Sequence, residues 1–190
     1  TDTDALIWKF PRYNDEIKNG AKLTVRESQV AVFMNQGIIA DVYKPGMYTL
    51  TTENMPILST LRGWKHGFES PFKVDVYFVS TRQFTNQKWG TKNPVMMRDA
   101  EFGPVRLRAF GSYAFRISDA ATFIKEVSAT NPDFTVALIN EQLRNIAVSR
   151  GMDVVASAGL PILDLTSRHD ELSDLVMQKI GPDYNAMGLT

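Results

Sequence analysis

From Val105 to Ile117 the side chains alternate in character over thirteen consecutive positions. A period of two places successive side chains on opposite faces, so this stretch is expected to be one long strand. Val105, Leu107, Ala109, Gly111, Tyr113, Phe115 and Ile117 fall on one face, and Arg106, Arg108, Phe110, Ser112, Ala114 and Arg116 on the other. At Ser118 the period turns helical. Ser118 or Asp119 caps a segment carrying Phe123, Ile124 and Val127.

Strands are also expected before this run. Lys22–Arg26 alternates, Gln29–Met34 is a denser apolar run, and Asn35-Gln36-Gly37 supplies a turn back into Ile38–Tyr43. Pro45 and Gly46 occupy the two central positions of a type II turn leading into Tyr48–Thr52, which together predict an antiparallel meander. A Met55-Pro56 pair follows. Phe72–Val79 is apolar on both faces, and Val95–Arg98 is a short strand.

Helices fill the rest. Asn131-Pro132-Asp133 separates the first from a longer one, Phe134 to about Arg150, whose Val136, Ile139, Leu143 and Ile146 make one apolar stripe. Gly151 is expected to interrupt it, and Met152–Ala158 to resume it before Gly159 and Pro161. Pro161–Leu165 is expected to be extended. Ser167 is the expected cap of a last helix with Leu172, Leu175, Val176 and Lys179 on one side, weakened at Gly181-Pro182 and ending at Gly188. The fold class is therefore α+β: an antiparallel or mixed sheet in the first two-thirds packed with helices, followed by C-terminal helices.

The 190 residues suit one domain, or one domain with an appended helical unit, and 44% hydrophobic residues suffice for a core. Lys+Arg and Asp+Glu number 21 each, so no net field draws in nucleic acid or an anionic membrane. The absence of cysteine excludes disulfides and thiol chemistry within these residues and fits a reducing cytoplasm. No apolar run reaches the length of a membrane span, and Leu6-Ile7-Trp8 is too short for an interfacial segment. The first residue is not methionine and Gly188-Leu189-Thr190 stops where a strand would begin, so further segments are expected beyond both ends.

Residues with catalytic chemistry do not converge. His66 lies between cations in Arg62–Gly67, and His169 stands beside Asp170 and Glu171, whose side chains diverge by about 100° per helical residue. Ser149 with His169 and Asp170 lacks a nucleophile elbow. No phosphate-binding glycine loop occurs, and Asp99-Ala100-Glu101 reads as a charged hairpin loop. Trp8, Trp64 and Trp89 each neighbour a lysine and are expected at the core margin. The sharper candidate is an interaction face of Arg106, Arg108, Phe110 and Arg116. Its alternatives are a solvated face, arginines paired with carboxylates on a neighbouring strand, a subunit contact, and stacking on single-stranded nucleic acid.

The order of these pieces resembles the SPFH or band 7 domain of stomatins, prohibitins and flotillins. The resemblance rests on "TVRESQVAVFMNQGIIADVYKPGMYTL", "LRAFGSYAFRISDAATFI" and "INEQLRNIAVSRG" onward to "YNAMGL". "GAKLTVRESQVAVF", "TLTTENMPILSTLRGW", "KWGTKNPVMMRD" and "FGPVRLRAFGSYAF" are similar to a bacterial branch labelled virion core protein-like. The resemblance implies a lead-in at residues 1–19 and an SPFH domain at 20–190 that lacks its last strand, expected from about Leu189.

It further implies a non-enzymatic scaffold for self-association and partner binding, in membrane organisation or membrane-stress response. No catalytic, cofactor or metal residues carry over. A homo-oligomer is expected in the full-length protein, with a membrane-stress protein as a further partner and no nucleic acid. Membrane contact would be indirect or through segments outside residues 1–190, with the protein cytoplasmic or peripheral at the inner face of the membrane. The alternatives are a small-ligand or enzymatic α+β domain, with a pocket near His66 or Asp99 and Glu101, and a single-strand nucleic-acid binder.

Overall fold

The computed structural model describes residues 5–11, 16–17, 20–35, 37–50, 72–128 and 135–190. The Met55-Pro56 pair, Trp64, His66, Asn131–Asp133 and most of "TLTTENMPILSTLRGW" lie outside the described residues. Two compact units are present: residues 1–82 with 117–136, and residues 83–116 with 137–190.

In the first unit β1 (Ile7–Lys9), β8 (Asp75–Ser80), β4 (Gln29–Asn35) and β5 (Ile38–Tyr43) form an antiparallel sheet in the order β1-β8-β4-β5. Two short ribbons join it, β2 (Glu16–Ile17) with β7 (Phe72–Lys73) and β3 (Lys22–Val25) with β6 (Gly46–Thr49). Both β1 and β2 thus fall within residues 1–19. Gly37 takes φ +79° in the turn between β4 and β5, as the sequence predicts.

The next turn departs from expectation. Gly46 has φ +153° instead of the roughly +80° of a type II turn, and β6 pairs with β3 rather than returning along β5. Tyr48 Oη donates to the Lys44 carbonyl at 2.9 Å, closing the bend through a side chain in place of a ladder. Where the chain leaves the sheet, Pro45 has no N–H to give one.

Alternation along β3 and β4 sends Leu23, Val25, Ala31 and Phe33 into one core with Leu50, Val74 and Val76; Tyr43, opposite Ala31, joins it, and the bulge opposite Phe33 and Met34 brings in Ala40. Helix α1 (Ala120–Phe123), continued by a π-helical turn (Ile124–Ser128), lies against β4. Asp119 caps it, its carboxylate accepting the Thr122 N–H at 3.1 Å. Trp8 sits half-buried in an aromatic trio with Phe10 and Phe78, while Leu6 and Ile7 are buried.

The second unit is a β-ribbon with helices. β9 (Phe84–Gly90) pairs with β12 (Phe110–Phe115), and β10 (Val95–Asp99) with β11 (Gly103–Leu107), both antiparallel. The single strand expected over Val105–Ile117 is therefore broken at Arg108-Ala109. There the four residues Thr91–Pro94 oppose two, and the Thr91 hydroxyl accepts the Ala109 N–H while the Thr91 N–H donates to the Ala109 carbonyl. A second irregularity lies between Tyr113 and Phe115, opposite Asn86 at φ +56°. β9, "FTNQKWG", is mostly polar and carries no apolar alternation that would mark it as a strand.

Helix α2 (Val136–Ser157) runs through Gly151 without interruption. Gly151 is buried beside Trp89, and a Cβ there would lie in ordinary contact with the ring at 4.0 Å, so the glycine neither ends the helix nor is required by its neighbour. The expected extended link is one helical turn, α3 (Ile162–Leu165). Helix α4 (His169–Ala186) continues through Pro182 and ends near Gly188 at φ +76°. Its start lacks a side-chain cap: Arg168 holds that position, and Ser167 Oγ instead donates to the Asp164 carbonyl at 3.0 Å. Ile139, Leu143, Ala147, Val154, Ile180, Tyr184 and Phe115 are buried, and the Arg150–Asp183 ion pair at 2.7 Å joins α2 to α4.

Candidate interaction surface

The inner side of the ribbon is fastened to the helices at three levels. Tyr113 Oη donates to Asn140 Oδ1 at 2.8 Å, and Asn140 Nδ2 donates to Gln87 Oε1, so both ribbon strands are tied to α2 through one amide. One level further along, Trp89 lies beside Gly111 and Gly151. At the tip, Asp99 accepts the Ile162 N–H at the start of α3, 2.8 Å away. Burial lifts the Tyr113 pKa to about 12, opposed by the Arg144 guanidinium.

Because the period is two, fastening one side exposes the other. Arg106, Arg108, Phe110, Ser112, Ala114 and Arg116 are all exposed, whereas their sequence neighbours are half-buried or buried. Phe110 is 87% exposed, an unusual state for a phenyl ring on a strand. The partner strands add Lys88, opposite Ser112, and Met96, opposite Arg106. Arg98, facing Pro104, extends the cationic face towards the tip.

No carboxylate stands opposite Arg106, and among the described residues neither Arg106 nor Arg108 forms an ion pair. Arginines paired across the ladder are therefore not what this face contains. Arg116 differs from the others: its Nε donates to Thr190 Oγ1 at 3.2 Å, and the two backbones exchange a pair of hydrogen bonds. Residues 83–116 hold six cations, Lys88, Lys92, Arg98, Arg106, Arg108 and Arg116, against two carboxylates, Asp99 and Glu101. The zero net charge of the chain conceals this local excess.

The other candidates do not assemble. His66 lies outside the described residues, and His169 is exposed at the first residue of α4. Asp99 is 8% exposed, and its oxygens accept the backbone N–H groups of Glu101, Phe102 and Ile162. Those three bonds, with Phe102 the largest contributor, hold its carboxyl below the usual range, a structural use of the side chain. Among the described residues no three His, Asp or Glu side chains cluster for a metal, and no helix is long and apolar enough to cross a membrane. The first unit holds an open, mainly apolar cavity of about 570 Å³ lined by Phe10, Ile17, Leu23, Phe33, Leu50 and Phe78 among others.

Comparison with known proteins adds what geometry alone does not. Residues 7–190 match the sequence model of the SPFH domain-Band 7 family. The chain is 30% identical over 189 residues to the uncharacterized protein YdjI of Bacillus subtilis, a match covering 98% of this chain and 58% of that protein. It thus spans little more than half the length of that curated relative. A match running from β1 to the last residue, over an α+β chain of antiparallel strands followed by helices, establishes the kinship: this chain belongs to the SPFH domain-Band 7 family.

Proposed function

We propose that the chain is a non-enzymatic scaffold domain that acts by self-association and partner binding in membrane organisation or membrane-stress response. Membership of the SPFH domain-Band 7 family supports a membrane-associated scaffold role in general. The observation that carries the finer assignment is the outer face of the ribbon, where Arg106, Arg108 and Phe110 are exposed while the inner face is committed to α2. Arginine and aromatic side chains held out on a rigid strand are the groups most enriched where proteins meet. The unit proposed over residues 20–190 takes edge strand β1 from the lead-in. Its site of action is the cytoplasmic side of the membrane, with a membrane-stress protein as candidate partner.

Light scattering after size exclusion, together with membrane fractionation of the full-length protein, tests this assignment. A concentration-dependent oligomer that co-fractionates with membranes is expected. A strict monomer confined to the soluble fraction overturns it, and a stable, salt-sensitive complex with single-stranded nucleic acid in its place reassigns the face.

A further inference from the structure

The cationic excess of the ribbon has a counterpart within the same unit. Residues 151–178 hold five carboxylates, Asp153, Asp164, Asp170, Glu171 and Asp174, against one cation, Arg168. Arg168 is already engaged with Glu171 at 2.6 Å. Asp170, Asp174 and Met177 recur at intervals of four and three, which places them on one face of α4. All three are exposed, as are Asp164 and the nearby Leu163, 66% exposed. The first ten residues of α4 bury no side chain fully, although Leu172 and Val176 are half-buried.

A neutral chain thus displays two surfaces of opposite sign, each with protruding apolar groups. Phe110 and Met96 stand among cations on the ribbon, and Leu163 and Met177 among carboxylates on α3 and α4. Among the described residues no ion pair links these two sets. We infer that they meet between molecules: the Arg106, Arg108 and Phe110 face of one copy docks on the Asp170, Asp174 and Met177 face of α4 in the next. The inference rests on the self-association proposed above and supplies its chemistry.

Two different patches in contact make a head-to-tail interface, which closes into a ring or extends as a filament, whereas identical patches facing each other stop at a dimer. Complementary charge sets the pairing and makes it sensitive to salt. The exposed phenyl and thioether groups supply the apolar contact that charges alone do not.

Reversing charge tests the pairing directly. Sedimentation velocity of the 190-residue chain is measured across protein concentration and sodium chloride, beside R106E/R108E and D170K/D174K variants whose folding is checked by circular dichroism. The expected results are salt-weakened association of the unmodified chain, at least a tenfold loss of affinity for each variant alone, and recovery when the two variants are mixed. Mixing restores opposite signs at both junctions, an outcome that a merely damaged fold does not produce. Association of the unmodified chain that neither variant weakens, or that mixing does not restore, overturns these surfaces and leaves self-association standing. A chain monomeric at every concentration overturns the docking of these surfaces, while self-association of the full-length protein is decided by its own light scattering; Arg106-dependent sedimentation of that monomer with phosphatidylglycerol vesicles reassigns the ribbon to lipid.

Discussion

Asp99 accepts the backbone N–H of Ile162 at 2.8 Å, joining two residues 63 positions apart, the ribbon tip and the first turn of α3. The same carboxylate accepts from Glu101 and Phe102, so one side chain both closes the hairpin and anchors it. Its folded-state pKa is depressed, so its contribution is present above the ordinary value near 3.9 and lost as pH falls through the lower folded value. Asp99→Asn is expected to lower the melting temperature at pH 7 and to flatten the loss of stability between pH 5 and about pH 3. Urea midpoints across that range measure it, and an unchanged acid slope would count against the anchoring role.

Tyr113 moves stability at the other end of the pH scale. Its folded pKa is pushed up to about 12, so its contribution is complete below the ordinary value near 10 and is lost as pH rises through 12. Tyr113→Phe removes the bond to Asn140, with an expected cost of about 1 kcal/mol at neutral pH. The variant should lose less stability than the parent above pH 10. Denaturation midpoints at pH 7, 9 and 11 separate the two effects.

Gly111 faces Trp89 directly across the ribbon. A Cβ built there would come within 3.0 Å of the indole Nε1 and 3.2 Å of Cε2, so the ring covers the glycine. Gly111→Ala is expected to destabilise by about 1–2 kcal/mol and to shift the Trp89 emission, because the ring must move. Adding Trp89→Phe should recover part of the loss, and strict additivity in a double-mutant cycle would show that the two do not compete for space.

Phe110 separates stability from association. With 87% of its surface exposed, Phe110→Ser should leave the unfolding midpoint within about 0.5 kcal/mol of the parent. Self-association should weaken in the same sample, measured by sedimentation. A large loss of stability would show that the ring is packed in solution.

Much of this could be read from local pattern because local pattern has a direct physical cause. The alternation from Val105 to Ile117 fixed which side chains share a face, and burial follows it through the break at Arg108-Ala109. Asp119 capped where its position before a helical period requires, and Gly37 and Gly188 took the positive φ that turns and helix ends favour. The order of these pieces also carried the family.

What sequence left open depends on partners distant along the chain. Strand pairing is a choice among edges, so nothing in Tyr48–Thr52 says that β6 joins β3 instead of β5. Gly151 reads as a helix breaker until the helix is seen to run through it, and Asp99 reads as a loop charge until Ile162 arrives. The amino-acid sequence by itself determined periods, caps, faces and kinship, because each is set by neighbours within a few residues or by the order of motifs. Only the tertiary structure decided which face of the ribbon is used up on α2, since that requires a second element to come and bury it. By that selection, the six alternate residues from Arg106 to Arg116 became an outward-facing surface.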